Sequence, residues 1–346
     1  MNVLQRNARK LCKFAENLHN QSRLKGTFRA AVLTKKGEPL SIQERPIEKL
    51  KSKQVRVKVA YVSVNSVDCH KFRHGGGELP FIPGYELAGE VIEKGKDVGN
   101  EIIRVGERVA GLSLMHFGGF AEQCILDIDD VWRIPGDVER KDAAVLAYGH
   151  STAIYTFSKL SNLKEKEKIV ISTGPAGMGL AAVDVAANIY GASVLGVVDN
   201  EALGELVRER GALSTFIFNS NLDKEVKKAT ENKGVNIVYD AVGDHMMTTL
   251  KNCATFCGKI FYAAPNFLET MSPPPPHTFF SIVSLKALRE QKRNLYKTVV
   301  SDTLELANNG SISAHISAKF ELEDVNKAIE FIEQKKCTGK VLIHID

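Results

Sequence analysis

The pattern best suited to chemistry in this chain is Gly174-Pro175-Ala176-Gly177-Met178-Gly179. An apolar stretch, Ile169-Val170-Ile171, precedes it, and a longer one, Met178 to Ile189, follows with helical character. Each position has a physical role. Gly174 permits a tight exit from a strand, a small residue at 176 lets backbone N–H groups approach a ligand, and Gly179 lets a helix lie close on a sheet. A helix N-terminus adds unpaired N–H groups and partial positive charge, which suit phosphates. A second strand, Ser193 to Val198, ends about 25 residues after Gly174, the length of a βαβ unit. The turn therefore reads as a dinucleotide pyrophosphate site, with a plain packing turn as the alternative.

Cofactor choice is normally made at the end of that second strand. An acid there binds ribose hydroxyls of NAD, and a base accommodates the extra phosphate of NADP. The chain reads Val197-Val198-Asp199-Asn200-Glu201-Ala202, with no base before Arg208. Asp199 taken alone favours NAD(H), unless it only caps the next helix. Metal chemistry finds little support. The six cysteines, at 12, 69, 124, 253, 257 and 337, are scattered, and Cys253-x3-Cys257 lacks a second pair of ligands.

The elements that must position this turn change character near residue 150. Val55, Val57, Val59 and Tyr61 alternate with Arg56, Lys58 and Ala60, as in a half-buried strand. Glu86 to Glu93 and Val105 to Ala110 are further short strands, so the first half reads as a small barrel or sandwich. From Lys168 strands and helices alternate: strands Asn236 to Ala241 and Lys259 to Ala264 flank a helix over Met246 to Cys253. That rhythm predicts an α/β fold with a parallel sheet covered on both faces. Helices over Thr298 to Asn308 and Asp324 to Gln334 and a strand Lys340 to Ile345 end the chain. A length of 346 residues suits two domains.

Net charge is +5, but it resides at the start. Met1 to Phe28 holds six bases against Glu16; without them the totals of 46 and 41 become balanced. No basic surface therefore calls for nucleic acid, and no window is apolar enough for a membrane helix. Leu4, Ala8, Leu11, Ala15 and Leu18 share one helical face of this basic stretch. Residues 1–27 thus read as a mitochondrial transit leader, the alternative being an extension of a cytoplasmic enzyme.

Four stretches together resemble the zinc-free quinone oxidoreductase branch of the medium-chain dehydrogenase/reductase superfamily. They are Val64-Asn65-Ser66-Val67-Asp68, Phe81-Ile82-Pro83-Gly84-Tyr85-Glu86, Gly106-Glu107-Arg108-Val109-Ala110-Gly111 and the glycine-rich turn. The resemblance covers Phe28 to the end. It implies a GroES-like β-barrel catalytic domain over 28–151 and a Rossmann doubly wound parallel-sheet domain over 152–290. Residues 291–346 would then return to the catalytic domain. It further implies NADP(H), a carbonyl or quinone substrate in the cleft between the domains, and a homodimer paired through an apolar strand. In this chain that strand would fall in the run Ile282 to Leu288.

Site residues follow by the same resemblance. Asn65 and Thr152 would reach the nicotinamide end, Gly174 to Gly179 the pyrophosphate, and Asp199, Phe218 and Lys340 other parts of the cofactor. His70 stands where several such reductases carry a tyrosine and could donate a proton near neutral pH; His150 could reach the same cleft. Asp68 would hold the loop. The zinc members need a histidine where Tyr85 stands and a cysteine where Val64 and Asn65 stand, so no zinc is expected. Two departures weaken the NADP grip: Ala202 replaces a lysine and Phe218 a tyrosine. Three readings follow: a quinone or enone reductase, a mitochondrial enoyl-thioester reductase, and a redox-inactive cofactor-binding sensor acting through partners.

Overall fold

A computed structural model describes residues 26–74, 78–175, 177–243, 245–264 and 273–345. The leader up to residue 25, Ala176 of the glycine-rich turn and the stretch just before Pro273 lie outside the described residues. In chain order the first half comprises β1 (Thr27–Val32), β2 (Ser41–Pro46), β3 (Gln54–Val64), α1 (Ser66–His74), β4 (Glu86–Lys94), β5 (Arg108–Leu112), β6 (Gln123–Asp127), β7 (Val131–Arg133), α2 (Arg140–Leu146) and α3 (Gly149–Tyr155). Next come β8 (Lys168–Ser172), α4 (Met178–Asn188), β9 (Ser193–Val198), α5 (Glu201–Glu209), β10 (Ser214–Ile217), α6 (Leu222–Ala229), β11 (Val235–Asp240), α7 (His245–Leu250), β12 (Ala254–Tyr262) and β13 (Phe279–Ile282). Helices α8 (Leu285–Gln291) and α9 (Arg293–Asn308), β14 (Ile316–Glu321), α10 (Val325–Glu333) and β15 (Lys340–His344) complete it.

Two large sheets organise these elements. One has seven strands in the order β14-β15-β3-β4-β5-β7, with β6 also paired to β3. Its long central strand β3 buries Val55, Val57, Val59, Val62 and Val64. The last strand, β15, lies antiparallel to β3, so the chain's end returns to this first sheet. Arg56 departs from the predicted alternation. It is buried, and its guanidinium donates to Glu93 at 2.9 Å and to the Glu48 carbonyl. A polar residue in a doubly covered strand needs such partners.

The second sheet has six parallel strands in the order β10-β9-β8-β11-β12-β13. This is the doubly wound order, which reverses direction between β8 and β11 and opens a crevice at the strand ends there. Sequence periodicity missed β10, α6 and β14, which are short and half-exposed, and α1 and α2, which are only 9 and 7 residues long.

The run Ile282 to Leu288 is not a strand. Strand β13 stops at Ile282, and the Ser284 side chain accepts from the Ala287 N–H at 3.2 Å to start α8. The basic residues beyond it face the first sheet. Arg289 meets Asp130 at 2.9 Å and Asp127 at 3.1 Å, and Arg293 meets Asp129 at 3.0 Å. Trp132 also donates its indole N–H to the Lys297 carbonyl, at 3.1 Å. These contacts seat α8 and α9 against the first sheet.

Candidate active site

The glycine-rich turn leaves β8 beside the crevice. Gly177 precedes α4 with φ +75°, a conformation that costs glycine little. A Cβ on Gly179 would lie 2.2 Å from the Ser172 carbonyl oxygen, so α4 can approach β8 only with glycine there. A Cβ on Gly174 would lie 2.9 Å from Val242. Across the crevice, Ser172 donates its hydroxyl to Asp240 at 2.6 Å, and Asp240 accepts the N–H groups of Val242 and Gly243. Both loop mouths at the strand reversal are thereby tied. Pro175 is half-buried, and Met178 lines the neighbouring cleft.

At the end of β9 the cap is Asn200, whose side chain accepts from the Leu203 N–H at 3.0 Å. Asp199 is thus released from the capping role weighed for it. Its carboxylate accepts instead from the Lys335 ammonium at 2.7 Å. Lys335 lies 136 positions away, just after α10, and supplies the base that the local sequence lacks. Phe218 sits at the neighbouring strand end with its ring against the cluster around Val170 and Val197.

The cleft encloses about 400 Å³, and its walls come from both halves of the chain: Asn65, Tyr85, Phe117 and Tyr148 from the first, Met178 and Tyr262 from the second. Behind it lies a buried charged cluster. Lys340 donates to Asn65 Oδ1 at 2.5 Å and to Glu86 Oε2 at 2.9 Å. Glu86 also accepts from Ser63 at 2.6 Å, Asn65 Nδ2 at 3.1 Å and the Tyr148 N–H at 2.8 Å. Strand β15 carries Lys340 past the turn, where its backbone nitrogen would lie 3.1 Å from a Cβ on Gly177. The cluster therefore links the glycine-rich turn to Asn65.

Asp68 closes the loop that bears Asn65. Its two oxygens accept from the Asn65 and Gly84 N–H groups at 3.0 and 2.9 Å. Burial, more than any charge, pushes its carboxyl up to about 7. Tyr85 and Tyr148 meet edge to face with centroids 5.0 Å apart. Burial pushes the Tyr148 hydroxyl up to about 12 and that of Tyr85 well above its usual range, so both phenols keep their protons.

Thr152 is buried one turn along α3, and its hydroxyl donates back to the Tyr148 carbonyl at 2.7 Å. His70 stacks on His74, with centroids 4.5 Å apart; the next residue, Lys71, lines the cleft. His150 is buried on α3 with Nε2 3.4 Å from Asp184 Oδ2. The cleft walls described above include Asn65 and Met178 but neither Thr152, His70 nor His150. Sequence reasoning overlooked Tyr148, Glu86, Lys71 and Lys335. Only Glu86 carried a signal, as an acid beginning a predicted strand, next to Tyr85.

Comparison with known proteins agrees with this architecture. Residues 51–136 match the alcohol dehydrogenase GroES-like domain, and residues 177–306 match the family described as zinc-binding dehydrogenase. The chain belongs to the medium-chain dehydrogenase/reductase superfamily. Within it, the chain is 34% identical to quinone oxidoreductase-like protein 2 of Rattus norvegicus over 328 residues, covering 92% of each chain. It is 32% identical to the Nematostella vectensis homolog of that protein, covering 92% of this chain and 89% of the other. A mycobacterial protein solved in complex with NADPH shares the fold, with a TM-score of 0.83 at 22% identity over 92% of this chain and 99% of that one.

Proposed function

We propose that this chain is an NAD(P)H-dependent reductase that passes a hydride to a quinone or an α,β-unsaturated carbonyl without zinc. The observation that carries the reading is the cleft beside the glycine-rich turn, walled by Asn65, Met178 and two protonated tyrosines. The nicotinamide, when bound, supplies the hydride. Gly174, Gly177 and Gly179 hold the turn open for its pyrophosphate. The phenols of Tyr148 and Tyr85 are hydrogen-bond donors for an acceptor oxygen that gains negative charge. Thr152 and Glu86 position Tyr148, one through its carbonyl and the other through its N–H. Asn65 is fixed by Lys340, Ser63 and Glu86, which orients its amide at the cleft wall. His70 remains a second proton source only if α1 turns it from His74 toward the cleft.

The donor set does not fit a zinc ion. Glu86 and Asn65 already share a cation, the Lys340 ammonium. Tyr85 offers a protonated phenol, and burial holds the Cys69 thiol protonated. Among the described residues no three His, Cys, Asp or Glu side chains converge.

Lys335 supports NADP(H) over NAD(H), because it stands beside Asp199 where a base would accept the extra phosphate. The mycobacterial protein solved with NADPH agrees with that choice. Strand β13 lies at the edge of its sheet with Phe279 and Ile282 exposed, which supports a homodimer. Among the described residues no helix is long and apolar enough to cross a membrane. The basic, acid-poor composition of residues 1–27 supports a mitochondrial address, which a fluorescent fusion of residues 1–27 would reveal.

The test is NADPH oxidation with naphthoquinone, using chelator-treated wild type and Tyr148→Phe. Turnover that survives the chelator and falls in the variant supports the proposal. Activity that needs added zinc overturns the zinc-free part, and a fully active Tyr148→Phe removes the tyrosine's role.

A further inference from the structure

Beside the glycine-rich turn lies a second, far smaller cavity of about 10 Å³. It has room for about one water molecule, so the groups around it act on the fold and not on a substrate. Gly177 of the turn and Lys340 of the buried cluster form part of its wall, together with His150, Asp184, Arg210 and His315. His150 is buried, and neither of its ring nitrogens has a hydrogen-bond partner among the described residues. A buried imidazole left so is costly unless it gains a partner. The partner within reach is Asp184, whose Oδ2 lies 3.4 Å from Nε2. Burial works against the charge on Asp184, yet His150, the Ser313 N–H at 3.0 Å and Asn188 at 2.7 Å hold its carboxyl below the usual range.

The pair joins the two parts of the site. His150 follows Tyr148 on α3, and Asp184 stands on α4, which the turn begins. Gly149 lets the two helices come close: a Cβ there would meet the Ala181 Cβ at 3.3 Å. Every charged group facing His150 across the cavity can be weighed. Asp184 from α4 favours a proton on it. Arg210, which follows α5 and lies 3.9 Å from Asp184, opposes one, as does Lys340 from β15, whose charge is shared with Glu86. Burial first, and Arg210 second, push the pKa of His315 down, so His315 adds little charge. From α2 only Val145 reaches the cavity. Without a proton on His150, Asp184 and Arg210 cancel; with one, the group beside Gly177 carries one net positive charge.

We infer that His150 is a positioning residue for the cofactor turn, taking up a proton and closing on Asp184 when a dinucleotide pyrophosphate binds. This rests on the dinucleotide reading of the turn and not on which acceptor is reduced. Histidine is the side chain that changes charge between about pH 5 and 8. In a buried setting its charge is weakly screened and favours an anion held at the turn. The coupling is reciprocal, so the anion raises the proton affinity of His150. The proton comes from solvent and returns to it when the cofactor leaves.

The test is calorimetric titration of the full chain with NADPH in two buffers of different ionisation enthalpy. At about pH 7, wild type should take up about half a proton more per NADPH than His150→Gln does. Between about pH 6.5 and 8.5 the wild-type affinity should fall about fivefold more than that of the variant. The comparison with the variant removes the titration of the cofactor's own phosphate monoester. Asp184→Asn should lose the same difference, and it carries the comparison if His150→Gln does not fold. Equal proton uptake in wild type and variants overturns the inference. So does a weakening of NADPH by one factor at every pH, the mark of lost packing alone. Wild type that binds no NADPH defeats the dinucleotide reading and the inference with it, whereas binding without the difference in uptake defeats the inference alone.

Discussion

Glu86 is fully buried, and the charge on it is met by Lys340, Ser63, Asn65 and the Tyr148 main chain. Removing one partner of such a pair leaves a buried charge alone. Lys340→Met should therefore cost about 3–5 kcal/mol of stability, read by urea unfolding. Adding Glu86→Gln to that variant should restore much of the loss; no recovery would mean that the pair is not coupled. Tyr148→Phe removes one donor at the cleft and should lower kcat about 100-fold or more, with the fold unchanged. Asp68 gives a pH signature. Burial raises its folded pKa from 3.8 to about 7, so its proton stabilises the fold at low pH and that contribution is lost as pH rises through about 7. Asp68→Asn has no such titration, and its stability relative to wild type should improve from about pH 4 to about pH 7. A flat difference would contradict the buried-acid account. None of this cluster was readable from spacing: Glu86 and Lys340 are 254 positions apart, and charged residues are seldom fully buried.

Elements explain why the glycine-rich turn was legible and its cofactor preference was not. The turn is local: strand β8, the glycines and helix α4 are contiguous, so composition and period reveal it. Gly179→Val should drive a side chain into the Ser172 carbonyl, push α4 off β8 and abolish the rise in unfolding midpoint expected of wild type with NADPH. The base beside Asp199 is not local. It arrives on the turn after α10, where β15 is about to enter the first sheet. Lys335→Ala should weaken NADPH about tenfold while changing NADH little, which paired titrations would show. Equal losses for both cofactors would make Lys335 a clamp on Asp199 with no part in cofactor choice. The same kind of distance hid the fate of Arg289. Its partners Asp127 and Asp130 lie in the first half of the chain, far from it in sequence.

At the scale of the whole molecule, strand-rich and alternating halves were separable because their periods differ. What joins them was not, since strand β15 pairing with β3, the seating of α8 and α9, and the cleft walls all depend on long-range contacts. A dimer paired through this edge would use strand Phe279–Ile282, not the run ending at Leu288. Light scattering should give the mass of two chains, and Phe279→Lys should give one; a wild-type monomer would contradict an interface at β13. The proposed reaction is hydride delivery from a nicotinamide cofactor held at Gly174 to Gly179 to an acceptor beside Tyr148. It is tested most directly with NADPH dideuterated at C4 of the nicotinamide and an aromatic enone, by mass spectrometry of the reduced product. One deuterium on the β-carbon of the product is the predicted result. A reduced product without deuterium, or no reduction while NADPH still binds, would contradict it.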